Sequence, residues 1–101
     1  MGDDGHTASI FPDQMELLQS GQICEVAAHP ETGQKRVTLT GNVINNAEIV
    51  CFLVTGTSKA NQFSEIRNRT EKANLLPAAY IIPENGVLYW YVDESVAQPI
   101  Q

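Results

Sequence analysis

Six consecutive apolar residues, Ile49-Val50-Cys51-Phe52-Leu53-Val54, stand near the middle of the chain between Glu48 and Thr55. No polar residue alternates with them, which is the pattern of a parallel strand covered on both faces. On that reading Cys51 is a small buried hydrophobe. Downstream, Thr57 or Ser58 can cap a helix in which Ala60, Phe63 and Ile66 recur at helical spacing. Glu65 and Arg69 lie four residues apart, as a helix-surface ion pair would. Residues 78–82 and 87–92 read as two strands, and Pro83-Glu84-Asn85-Gly86 is short enough to join them as a hairpin.

Upstream, residues 41–47 predict a single helical turn with Val43 and Ile44 inward, and residues 37–40 are β-branched and extended. Residues 23–28 read as a strand, and His29-Pro30-Glu31-Thr32-Gly33 as a turn. Residues 12–20 predict a short helix, with Pro12 at its first position, Met15 and Leu18 on one face, and Gly21 ending it. Strand, helix and strand in succession, with a terminal hairpin, specify an α/β fold with a mixed sheet.

Composition narrows the function. The chain has 101 residues, 43% of them hydrophobic, which is globular rather than disordered. A net charge of −6 argues against nucleic acid as a partner, because phosphate backbones demand clustered cations. The absence of an apolar run near 18 residues argues against a membrane span. Cys24 and Cys51 form no CxxC motif, and His6 and His29 lie 23 residues apart with no ligand-spaced partner. The expectation is therefore a reducing cytoplasmic setting and no metal.

The polar stretch Gly2-Asp3-Asp4-Gly5-His6-Thr7-Ala8-Ser9 is the candidate for chemistry. An imidazole can move protons near neutral pH, and Asp4, two residues before His6, is close enough to fix its tautomer. Gly2 and Gly5 let the backbone turn sharply and approach a ligand. The alternative is a polar turn with a surface histidine, in which Asp4 only caps the turn. Lys59, a cation where a helix begins, opposes the helix dipole unless an anion lies there. Arg36 and Lys59 otherwise read as a solvated surface pair.

Taken in order, Gly2-Asp3-Asp4-Gly5-His6-Thr7-Ala8-Ser9-Ile10-Phe11-Pro12, Lys35-Arg36-Val37-Thr38-Leu39-Thr40, Phe52-Leu53-Val54-Thr55-Gly56-Thr57-Ser58-Lys59-Ala60, Leu75-Leu76-Pro77-Ala78-Ala79, Leu88-Tyr89-Trp90 and Asp93-Glu94 resemble the 6-phosphogluconolactonase family, relatives of glucosamine-6-phosphate deaminase. The resemblance implies a Rossmann-like mixed sheet flanked by helices, with residues 1–101 forming the C-terminal portion of a larger three-layer α/β domain. It implies cofactor-free hydrolysis of a phosphorylated sugar lactone, with His6 as general base and Asp4 supporting it. Arg36 and Lys59 would bind the substrate phosphate, and Gly2 and Gly5 would make loop contacts. It also implies contact with an N-terminal half not present here, or self-association. The deaminases carry a Glu five residues after the motif histidine, where this chain has Phe11. Two alternatives remain at this stage: a deaminase/isomerase-like enzyme and a truncated, non-enzymatic remnant.

Overall fold

The computed structural model describes residues 1–98; residues 99–101 of the expected 1–101 portion lie outside it. Strand β3 (Ile49–Val54) forms where the apolar run predicts it. It pairs in parallel with β4 (Val87–Val92), and Phe52 lies opposite Trp90. Their rings stack at 4.2 Å and 9°, and Trp90 also meets the edge of Phe63 at 5.4 Å. Phe63 belongs to α2 (Ala60–Arg67), whose Ala60 and Phe63 are buried and whose Ile66 is half-buried. The core of Ile10, Leu17, Leu18, Ala27, Phe52, Val54, Phe63, Ala78, Ile81 and Val96 therefore gathers on one side of this strand pair.

The other side is open. Ile49 and Leu53 are 63% and 74% exposed, and Cys51, Val87, Tyr89 and Tyr91 are exposed beside them. The expected cover on both faces of β3, and the expected burial of Cys51, are both corrected. An all-apolar strand can alternate in burial when helices pack on only one of its faces. Trp90 is a core-side residue, whereas Tyr89 and Tyr91 are not.

A second sheet forms from β1 (Cys24–Ala28) and β2 (Lys35–Leu39), antiparallel, with Val26 opposite Val37. The turn between them is where the His-Pro-Glu-Thr-Gly string predicts it. The buried Thr40 donates its hydroxyl to the Gln22 carbonyl at 2.6 Å, fixing the exit of this hairpin. Helix α1 (Gly41–Ile44) is the predicted single turn. Residues Pro12–Leu18 are helical but 3₁₀, with a non-helical Gln14, and the helix ends at Gln19 before Gly21 is reached.

Residues 78–82 are not a strand. Pro77–Tyr80 is a 3₁₀ turn, and no terminal hairpin forms because β4 pairs with β3 instead. The reason lies in Asn45. Its side-chain amide donates to the Tyr80 carbonyl at 3.0 Å, its oxygen accepts from Ile82 N–H at 2.8 Å, and its own carbonyl accepts from Glu84 at 3.2 Å. Backbone groups that a hairpin ladder would use are thus occupied. The Glu65–Arg69 pair is likewise not made: Glu65 accepts from the Thr70 hydroxyl, and Arg69 leaves helical geometry at φ +52°. Among the described residues no helix is long and apolar enough to cross a membrane.

Asn45→Ala removes two side-chain hydrogen bonds, to the Tyr80 carbonyl and from the Ile82 N–H. It should destabilise the chain by about 1–3 kcal/mol in urea unfolding. A loss below about 0.5 kcal/mol, within the range of ordinary surface substitutions, would show that residues 80–84 are held by other contacts.

Candidate active site

The loop that opens the chain is closed upon itself before it touches anything else. Gly2 N–H donates to the His6 carbonyl at 2.9 Å, and Gly5 N–H donates to the Gly2 carbonyl at 3.0 Å. Gly5 has φ +84°, and a Cβ there would come within 2.7 Å of Leu76 Cδ2. A Cβ on Gly2 would overlap the His6 ring at Cε1 and Nδ1. These two glycines are therefore required by the packing of the loop, one by its conformation and one by the imidazole lying against it.

Hydrogen bonds and burial hold the loop to the fold. The Gly5 carbonyl accepts from Ala78 N–H at 2.9 Å, and Ser9 N–H donates to the buried Thr38 hydroxyl at 3.0 Å. Ile10 and Phe11 are fully buried at its end. Thr38 and the Leu76-Pro77-Ala78 segment were not readable as loop anchors, because nothing in a threonine or a proline announces a long-range backbone partner.

Asp4 makes two contacts to His6. Its Oδ1 accepts from His6 N–H at 3.0 Å, capping the turn, and lies 2.6 Å from His6 Nδ1. Burial acts to raise the Asp4 pKa, but the bonds from the His6 backbone and ring outweigh it and hold the carboxyl below its ordinary value. With Nδ1 turned to Asp4, Nε2 makes no hydrogen bond among the described residues. His6 is half-buried and Asp4 exposed, so the pair orients the ring more than it stabilises the fold.

Phe11 is the floor of the site. The His6 ring lies 4.8 Å from its centroid, and the Arg36 guanidinium 5.9 Å. A second imidazole, His29, meets the same ring edge-on at 5.3 Å. Arg36 is thereby brought to the loop, and its guanidinium also donates to Gln34 Oε1 at 3.3 Å. Lys59 arrives from another element. It ends the 3₁₀ turn Thr57–Lys59 directly before α2, and the neighbouring Ser58 donates its hydroxyl to Asp3 Oδ1 at 2.9 Å. Ser58 is thus spent on the loop, Thr57 makes no cap hydrogen bond, and the expected side-chain cap of α2 is corrected. The structure places Gly2, Asp4, Gly5 and His6 on one loop, brings His6 and Arg36 to the same Phe11 ring, and sets Lys59 next to Ser58, the partner of Asp3. Sequence reading missed Phe11 and His29 as members of the group.

Asp93 supports the same region from behind. It caps α3 (Glu94–Ala97) through Val96 N–H at 3.0 Å and accepts from Gly56 N–H at 3.2 Å. Bonds from Ser95, Val96 and Gly56 lower its pKa. Among the described residues, no three His, Cys, Asp or Glu side chains are grouped to hold a metal. The two larger clefts, each near 560–580 Å³, are lined by Gly21, Asn42, Asn45 and Glu84 and by Phe63, Arg67, Tyr80 and Trp90. His6 lines neither of these two.

The α/β scaffold thus presents an imidazole paired with a carboxylate on its first loop, and Arg36 lies over the Phe11 ring that His6 also meets. Residues 1–90 match the family described as glucosamine-6-phosphate isomerases/6-phosphogluconolactonase, and the chain belongs to that family. It is 41% identical over 98 residues to the 6-phosphogluconolactonase of Haemophilus influenzae and 41% identical over 100 residues to that of Homo sapiens. Each match covers 97% of this chain, which spans only 42% and 38% of those relatives' lengths. The solved 6-phosphogluconolactonase of Trypanosoma brucei superposes with a TM-score of 0.85 at 29% identity, covering all of this chain and 40% of that one.

The lowered Asp4 pKa sets a pH dependence. A carboxyl depressed in the folded state stabilises it above the unfolded pKa, near 4, and that stability is lost as pH falls through the folded value. The stability gap between the parent chain and Asp4→Asn should be present above about pH 5, amount to no more than about 1 kcal/mol, and close as pH falls below about 4. A gap that stays constant down to about pH 2 would contradict the assignment.

Proposed function

We propose that this chain carries the hydrolytic centre of a 6-phosphogluconolactonase. The observation that carries this reading is the 2.6 Å contact between His6 Nδ1 and Asp4 Oδ1, which leaves the other ring nitrogen, Nε2, for a ligand. Water attacks the lactone carbonyl carbon while His6 Nε2 takes its proton. The tetrahedral intermediate then expels the ring oxygen, which recovers that proton from the imidazolium. One C–O bond forms, one breaks, and the product is an open hydroxy acid that ionises to its carboxylate. No cofactor is needed, because water is the nucleophile and no electrons change hands.

Arg36 and Lys59 are proposed to hold the substrate phosphate, with Gly2 and Gly5 giving the ligand close approach to the loop backbone. The substrate is a phosphorylated sugar lactone, and neither nucleic acid nor membrane is a proposed partner. A deaminase is disfavoured because Phe11, where that reaction needs an acid, is an apolar ring packed under His6. The free thiols of Cys24 and Cys51 suit a reducing cytoplasm.

A second reading has its own observation. The face formed by Ile49, Leu53, Tyr89 and Tyr91 is apolar and exposed. Exposed faces of this kind mark surfaces that pack against other polypeptide. We propose that the chain alone binds ligand but turns it over poorly, and that the rest of the domain found in its relatives, or a second copy, covers this face and completes the site.

The chain alone, and the chain joined to the N-terminal residues of the Haemophilus relative, should be assayed on 6-phosphogluconolactone with spontaneous hydrolysis subtracted. The joined protein should be the active one. In it His6→Ala should lower kcat by about 10²–10⁴ with little change in KM. Arg36→Gln should cost about tenfold to a hundredfold in kcat/KM on the phosphorylated lactone and little on gluconolactone. A His6→Ala loss below about tenfold, or equal Arg36→Gln losses on both lactones, would overturn the assigned roles.

A further inference from the structure

His29 is a histidine that the reaction above does not use. It sits at the start of the β1–β2 turn, which is tightly closed: His29 N–H donates to the Gln34 carbonyl at 2.9 Å, and Gly33 N–H donates to the His29 carbonyl at 2.8 Å. The ring is tied as well. Nδ1 accepts from Glu31 N–H at 3.2 Å and from Thr32 N–H at 3.3 Å. A nitrogen that accepts carries no proton, so the ring proton of neutral His29 lies on Nε2. The ring is half-buried and meets Phe11 edge-on at 5.3 Å and 66°. That same Phe11 ring carries His6 at 4.8 Å and the Arg36 guanidinium at 5.9 Å.

We infer that His29 is a further ligand-binding residue, whose Nε2–H donates a hydrogen bond to an oxygen of the phosphate that Arg36 holds. The inference rests on the phosphorylated-lactone reading and extends it. The role is that of a donor and not a second base. Taking a proton at Nδ1 would break two backbone hydrogen bonds, whereas Nε2 already bears its proton. The turn that fixes His29 also supplies Gln34, whose side chain receives Arg36, so one short segment orients both donors.

Two substitutions separate the two ring nitrogens. Asparagine places an amide oxygen near Nδ1 and nothing at Nε2; glutamine reaches the Nε2 position with its amide nitrogen. Binding of 6-phosphogluconate, the hydrolysis product with the same phosphate, would be measured by calorimetry on the joined protein, with gluconate as the unphosphorylated control. His29→Asn should weaken 6-phosphogluconate binding about tenfold, the loss of one hydrogen bond to a charged group, and His29→Gln should recover most of it. Unchanged binding in His29→Asn together with a clear loss in Arg36→Gln overturns the inference and leaves the phosphate site standing. Absence of saturable binding by the parent protein, or no loss in either variant, overturns both. Should a variant unfold, long-range ¹H–¹⁵N spectra of the parent decide the matter. An Nε2–H tautomer at His29 whose signal moves with 6-phosphogluconate and not with gluconate supports the inference; an Nδ1–H tautomer, or no movement, overturns it.

Discussion

Burial of Ile10 and Phe11 is the constraint on which the site depends. The stretch before them is glycine and short polar residues, with little apolar surface of its own to order it. Its conformation is set at its end, where two side chains are fully buried, each worth about 1.5–3 kcal/mol. Phe11 is buried, and its ring is met by His6, His29 and the Arg36 guanidinium. The Gly5–Ala78 and Ser9–Thr38 hydrogen bonds fix the remaining freedom of the loop.

The parallel pair β3–β4 transmits that order across the molecule. Its inner face packs Phe52, Trp90 and Phe63 together, and its end leads through Gly56 into the turn bearing Ser58 and Lys59. Asp93 closes the arrangement by joining Gly56 to the start of α3. The cation, the loop and the sheet are thus coupled through a few hydrogen bonds, not through a deep pocket. The outer face of the same pair contributes nothing to this core.

Local pattern carried a good part of this into the sequence. The apolar run of β3, the helical spacing of Ala60, Phe63 and Ile66, and the turn chemistry at 29–33 are all short-range signals, and each element formed. The errors arose where a distant partner decided. Residues 78–82 have strand-like composition, but Asn45 claims their backbone groups. Ser58 looks like a helix cap, but Asp3, fifty-five residues earlier, takes its hydroxyl. Cys51 looks buried by its neighbours in sequence, but burial depends on what packs over a face, which no single strand records. At the site, the Asp4–His6 relation was legible because it spans two residues. The gathering of Arg36 and His29 on Phe11 was not, because it depends on the β1–β2 hairpin folding back over residue 11.

The central claim is that His6 faces the reacting carbon while Arg36 holds the phosphate. A crystal structure of the joined protein with 6-phosphogluconate bound tests it most directly. The account predicts the product carboxylate within about 2.6–3.2 Å of His6 Nε2 and the phosphate on the Arg36 guanidinium. A ligand lying in the cleft beside Asn45 and Glu84, or bound with its phosphate at His6 and its carboxylate at Arg36, would contradict it.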